Sequence, residues 1–281
     1  MTNPSDKPPV LRHAICNEAF EKWDFADACR AIHDIGYSGI EIAPFTLGET
    51  PAGVSQAKRA ELRDVIKSEG LIFVGLHWLM VSPKGLHVTS PDADLRRRSW
   101  EHVHDLIDLS ADLGPDGVMV FGSPNQRKSS GGLSREEATR HMADGLAAAA
   151  PHAEARGVTV LLEALPLNQC DVVQSLAEAV GIVEQIGSPA IQTMFDVHNA
   201  VDETEPHPTL VERHLGHIRH VHVNELNGDH CGAGNYNFRP LLETLIRLKY
   251  TGWVSLEAFD FTVGAERLAT ESLRHLEKQL S

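Results

Sequence analysis

The stretch "TMFDVHNA", Thr193 to Ala200, opens like a buried strand and closes on polar chemistry. Thr193, Met194 and Phe195, led in by Ile191 and Gln192, have the content of a core strand. Asp196 and His198 then follow, two residues apart. Positions i and i+2 of a strand share a face, so a strand running on through Val197 points both toward whatever Met194 faces. A carboxylate and an imidazole on the inner face of a core strand demand a reason.

Outward from this stretch, short apolar runs alternate with longer helical patterns. The strand candidates are "HAIC" (13–16), "GIEIA" (39–43), "IFVGLHW" (72–78), "GVMVFG" (117–122), "VTVLLEA" (158–164), "IQTMFDV" (191–197), "IRHVHVN" (218–224) and "WVSLEAF" (253–259). Between them lie segments of helical period such as "FADACRAIHDIG", "REEATRHMADGLAAAAPHAEARG" and "PLLETLIRLKYTG". Several of these stop at a glycine, the expected C-terminal cap before a strand. Eight β-then-α units without a break in composition predict an α/β fold, a single (β/α)8 TIM barrel over residues 11–281. An open, doubly wound sheet is the competing topology, but no G-x-G-x-x-G follows an early strand. The Pro-rich "MTNPSDKPPV" (1–10) reads as a flexible tail, with no apolar run for a signal peptide or membrane span.

Composition narrows the functional classes. A chain that is 42% hydrophobic and 23% charged has ample core for one large domain. Its net charge of −14 repels polyanions, and the densest basic run, Arg96–Arg98, sits in a helical pattern as a solvated face. Nucleic acid and membrane partners are therefore not expected. Four cysteines without C-x-x-C spacing suggest neither a zinc knot nor a disulfide framework, which fits a reduced, cytoplasmic setting.

In a barrel the chemistry gathers where strands end at their C-terminal side. Those ends carry His77, Glu163, Asp196 with His198, His220 with His222 and Asn224, and Glu257. Buried carboxylates cost several kcal/mol each unless paired or metal-bound, and few Lys or Arg stand at the same ends to pair them. Glu163, Asp196, His222 and Glu257 supply three oxygens and one nitrogen, a hard set suited to one divalent ion: Mn²⁺ first, then Mg²⁺ or Co²⁺, with Zn²⁺ less favoured. His77, His198, Glu225 and His230 are candidate substrate-binding groups. Trp78 and Phe121 are candidates for an apolar wall.

The pieces "LLEALP", "FDVHNA", "HVHVNE", "GAGNYNF" and "WVSLEAF", in this order over roughly residues 158–259, resemble the xylose isomerase-like TIM barrels, and within them the ketose 3-epimerases. "GYSGIEIAPF" is similar to the second-strand motif of that superfamily. The resemblance implies that Glu163, Asp196, His222 and Glu257 hold one divalent metal, and that Glu163 and Glu257 form the catalytic acid/base pair on opposite faces of a sugar. It implies a metal-dependent sugar isomerase or epimerase that moves a proton through an enediolate, with a small-molecule sugar as partner and a homo-oligomeric state left open. Two positions depart from the pattern. Asn199 stands where those epimerases carry a histidine, with His198 one place early, and Gly228 stands where they carry an arginine. A lyase or dehydratase acting on a keto-sugar or oxidised glycoside is the alternative. An apurinic endonuclease-like activity meets the −14 charge, and a non-catalytic binding subunit meets the intact ligand set.

Overall fold

The computed structural model describes residues 11–281, so the tail expected over 1–10 lies outside the described residues. Eight strands form the barrel: β1 (Arg12–Cys16), β2 (Gly39–Ile42), β3 (Ile72–Leu76), β4 (Val118–Phe121), β5 (Thr159–Leu162), β6 (Ile191–Asp196), β7 (Ile218–Val223) and β8 (Trp253–Leu256). Each pairs in parallel with its sequence neighbours, and β8 returns to β1 to close the sheet. The helices are α1 (Phe25–Ile35), α2 (Gln56–Ser68), α3 (Ala93–Leu113), the single turn α4 (Pro124–Arg127), α5 (Arg135–Arg156), α6 (Leu176–Ile186), α7 (His207–His214), α8 (Arg239–Arg247) and α9 (Ala265–Gln279). Among the described residues no helix is long and apolar enough to cross a membrane.

Local chemistry sets these boundaries. Ser134 and Glu137 form a reciprocal capping box at the start of α5, and Gly157 ends it with a positive φ of 67°. Most of the apolar core lies between sheet and helices, where Ile15, Ile40, Met119 and Phe195 are buried against the helical ring. A second, smaller cluster fills the barrel itself: Ala14, Val74, Val118, Val120, Leu161, Met194 and Trp253. Arg12 stacks its guanidinium 3.7 Å over the Trp253 ring beside this plug.

The two-residue period of strands then predicts what stands above the plug. From Ala14, Leu161, Met194 and Trp253 the inner face passes to Cys16, Glu163, Asp196 and, four residues on, Glu257. An apolar floor thus gives way to an acidic layer at the C-terminal mouth.

The expected strands are present, but most end early on that side. Glu163, Asn224 and Glu257 lie just past the last ladder residue. β6 stops at Asp196, and residues 197–200 form a turn. Val197 N–H still reaches the His222 carbonyl at 3.2 Å, and Asp196 then turns the chain: its Oδ1 accepts the Asn199 N–H at 2.8 Å and its carbonyl accepts the Ala200 N–H at 3.0 Å. The shared face predicted for Asp196 and His198 is therefore corrected. Asp196 points into the barrel, and the turn carries His198 to the rim.

Candidate metal centre at the barrel mouth

Glu163, Asp196, His222 and Glu257, from β5 to β8 or the residue just after, each present a ligand atom within 4.8 Å of all the others. All four side chains are buried. His222 Nδ1 lies 3.1 Å from Glu257 Oε2 and 3.5 Å from Asp196 Oδ2. Among the described residues neither His222 Nδ1 nor Asp196 Oδ2 has a hydrogen-bond partner.

The electrostatics concentrate negative charge at one buried point. Burial, then the neighbouring charges of Asp196 and Glu257, push the Glu163 carboxyl up to about 8. Burial raises Glu257 as well. Burial opposes charge on His222, yet Glu41 and Glu257 outweigh it and hold the imidazole well above its ordinary value. Among the described residues the ion pairs of Asp196 and Glu257 are with imidazole only, never Lys or Arg. Three buried acids, one imidazole and two unsatisfied atoms aimed at one point fit a hard divalent ion.

The surroundings fix these side chains. Asn199 Nδ2 donates to Glu163 Oε1 at 2.8 Å, so the residue at the position where the resemblance places a histidine braces a candidate ligand. Gly122 faces Glu163 so closely that a Cβ would meet Oε2 at 2.2 Å. Arg127, fully buried on α4, donates to the carbonyls of Phe121 at 2.9 Å and Glu163 at 2.7 Å. It was not singled out from the sequence, because an arginine in a loop reads as solvated. Arg127→Met removes the donor from buried carbonyls and is expected to destabilise the fold by about 2 kcal/mol or more. Urea unfolding with an unchanged m-value checks this.

The four candidate substrate groups separate. His77 is fully buried, with Nε2 2.6 Å from Glu18, and together with Cys16 and Glu257 offers ligand atoms within 4.8 Å of one another. His198 donates from Nδ1 to the Leu226 carbonyl at 2.8 Å and meets the Phe259 ring edge-on at 5.2 Å between centroids. Glu225 accepts the backbone N–H groups of Gly232 and Tyr236, both at 2.9 Å, which makes it the organiser of the "NELNGDHCGAGNYNF" loop. His230 turns toward α9, with Nε2 3.2 Å from Glu271.

Trp78 lines a cleft together with Glu163, Gln169, Asn199, Glu257 and Phe259. Phe121 does not: it points outward and packs against Trp100, because Val120 and Gly122 hold the inner face. Gly228 has a φ of +87°, and a Cβ there would lie 2.5 Å from the Phe259 ring. An aromatic ring thus occupies the space beside the position where the resemblance places an arginine.

Sequence reasoning also missed Glu41, Glu18 and Cys16, which close the polar cluster from the β1 and β2 side. The available signal was Glu41 itself, a charge inside the apolar run "GIEIA".

The fold and its site together define the class: a closed parallel barrel with a buried cluster of three carboxylates and one imidazole at its C-terminal mouth. The family model described as xylose isomerase-like TIM barrel matches residues 29–279, and the chain belongs to that family. An L-ribulose 3-epimerase from Mesorhizobium japonicum is 27% identical over 66% of this chain, a match spanning 62% of that protein's length. The crystal structure of D-psicose 3-epimerase from Clostridium cellulolyticum superposes with a TM-score of 0.83 at 19% identity, covering 96% of this chain and all of the other. A 3-keto-D-glucoside 4-epimerase from E. coli superposes with a TM-score of 0.81 at 19% identity over the same shares.

Proposed function

We propose that this protein is a divalent-metal-dependent sugar epimerase that inverts a carbon next to a carbonyl in a ketose or keto-sugar. The observation that carries the reading is the buried Glu163–Asp196–His222–Glu257 cluster, with Asp196 Oδ2 and His222 Nδ1 lacking a hydrogen-bond partner among the described residues. These four residues would hold the ion, with Mn²⁺ the first choice for three oxygens and one nitrogen. When bound, such an ion acts as a Lewis acid for the negative charge that develops on a carbonyl oxygen.

The chain's own residues supply the proton transfers. Glu163 and Glu257 project from β5 and β8, three strands apart around the barrel. One takes the proton from one face of the carbon, and the other returns a proton to the opposite face. Trp78 and Phe259, edge to face at 6.1 Å, offer an apolar wall to the C–H surface of the sugar. Among the described residues no Lys or Arg lines the cleft, which favours an unphosphorylated substrate. The epimerases among the similar proteins support the same chemistry.

The test has two arms. Purified protein is expected to carry close to one equivalent of divalent metal per chain, and metal at background would end the idea. Incubated with candidate ketoses in D₂O, it is expected to place deuterium at one retained carbon while the epimer accumulates. An unsaturated or group-eliminated product would instead establish a lyase.

A further inference from the structure

We infer that Glu41 is a positioning residue for the metal centre: its buried carboxylate holds the Nε2–H of His222 and so directs Nδ1 at the ion. The inference rests on the metal-site reading above and assigns the charge in β2, which that reading leaves without a task.

Glu41 is wholly buried, and its neighbours along the strand are Ile40 and Ile42. A side chain needed only to fill space there would be apolar, because burying a carboxylate costs several kcal/mol unless its partners repay it. Among the described residues Glu41 is hydrogen-bonded by two imidazoles. His220 Nε2 donates to Oε1 at 2.6 Å, and His222 Nε2 lies 3.2 Å from Oε1 and 3.1 Å from Oε2. His77 Nδ1 stands further off, 3.8 Å from Oε2.

The direction of the hydrogen bond follows from chemistry. An ionised carboxylate only accepts, so His222 must carry hydrogen on Nε2 toward Glu41. A neutral His222 then has its lone pair on Nδ1, the atom that faces Glu257 and Asp196. Two acceptors confronting a lone pair repel one another unless a cation lies between them, so the same bond that sets the tautomer prepares the ligand. His220 clamps the other end: by filling Oε1 it prevents the carboxylate from turning away. Outer partners of metal-bound histidines typically contribute about 10- to 100-fold in metal affinity.

The measurement is Mn²⁺ affinity, by competition with a chromophoric chelator, for wild type and Glu41→Gln prepared metal-free. Folded Glu41→Gln is expected to bind one Mn²⁺ per chain about 10- to 100-fold more weakly. Affinity within twofold of wild type would overturn the inference. Glu41, Cys16 and His222 also offer three ligand atoms within 4.8 Å, so a stoichiometry of two ions falling to one in Glu41→Gln would overturn it as well, by making Glu41 a ligand. Should the variant fail to fold, ¹⁵N spectra of Zn²⁺-loaded wild type decide: a proton on His222 Nε2 supports the inference, and one on Nδ1 sinks it. The two readings fail separately. Absence of epimerised product with Mn²⁺ bound removes the proposed reaction, whereas an unchanged affinity in Glu41→Gln removes only the role of Glu41.

Discussion

Glu163→Gln and Glu257→Gln are each expected to lower epimerisation by about 10²- to 10⁴-fold, the range associated with one general acid–base group. The amide keeps an oxygen for the ion but cannot take up a proton at neutral pH. The more telling result lies in the residual chemistry. If the two carboxylates serve opposite faces, a variant that has lost one still removes and returns the proton on the other. Each variant should therefore exchange deuterium into one epimer of the sugar without inverting it, and the two variants should choose opposite epimers. NMR of both epimers in D₂O reads this directly. Loss of exchange from both epimers in both variants would show that the faces are not divided between Glu163 and Glu257.

Asp196→Asn is expected to abolish stoichiometric metal binding, weakening affinity by more than the roughly 100-fold that a mere outer partner contributes. The thermal behaviour should separate ligand loss from misfolding. Asn retains an Oδ1 to accept the Asn199 N–H in the turn after β6. It also removes one of three mutually repelling acids, since Asp196 is a cause of the raised Glu163 carboxyl. Metal-free Asp196→Asn should thus melt no lower than metal-free wild type. Wild type with Mn²⁺ at 100 times its Kd gains about 2.7 kcal/mol, or roughly 5 °C at this chain length, and the variant should gain nothing. A metal-dependent rise in Asp196→Asn matching that of wild type would remove Asp196 from the ligand set.

Fold and site were legible to different depths. The eight strands could be read because each is an apolar run bounded by turn chemistry and followed by a helical period. Asp196 and Glu257 could be read as inward-facing because strand alternation carries them up from Met194 and Trp253, which pack inside the barrel. The same logic failed once the chain left the ladder. His198, Glu225 and His230 all follow strand ends, yet one caps a loop carbonyl, one binds two loop amides and one faces α9. No pleat controls direction there.

Sequence alone therefore determined the repeating β-then-α pattern and which polar side chains stand at the top of the barrel's inner face, because both follow from periods of a few residues. Tertiary structure alone decided which of those groups meet. Glu41 reaches His220 and His222 from about 180 residues away, and Arg127 binds the backbone of Glu163. Closure of β8 onto β1 brings β2 and β7 face to face across the barrel, the pairing of β4 with β5 brings Arg127 to Glu163, and nothing local to any of these residues encodes the contacts. Asp196 belongs to both accounts: its place on the strand was periodic, while the bond by which it turns the chain and swings His198 to the rim became visible only in the fold.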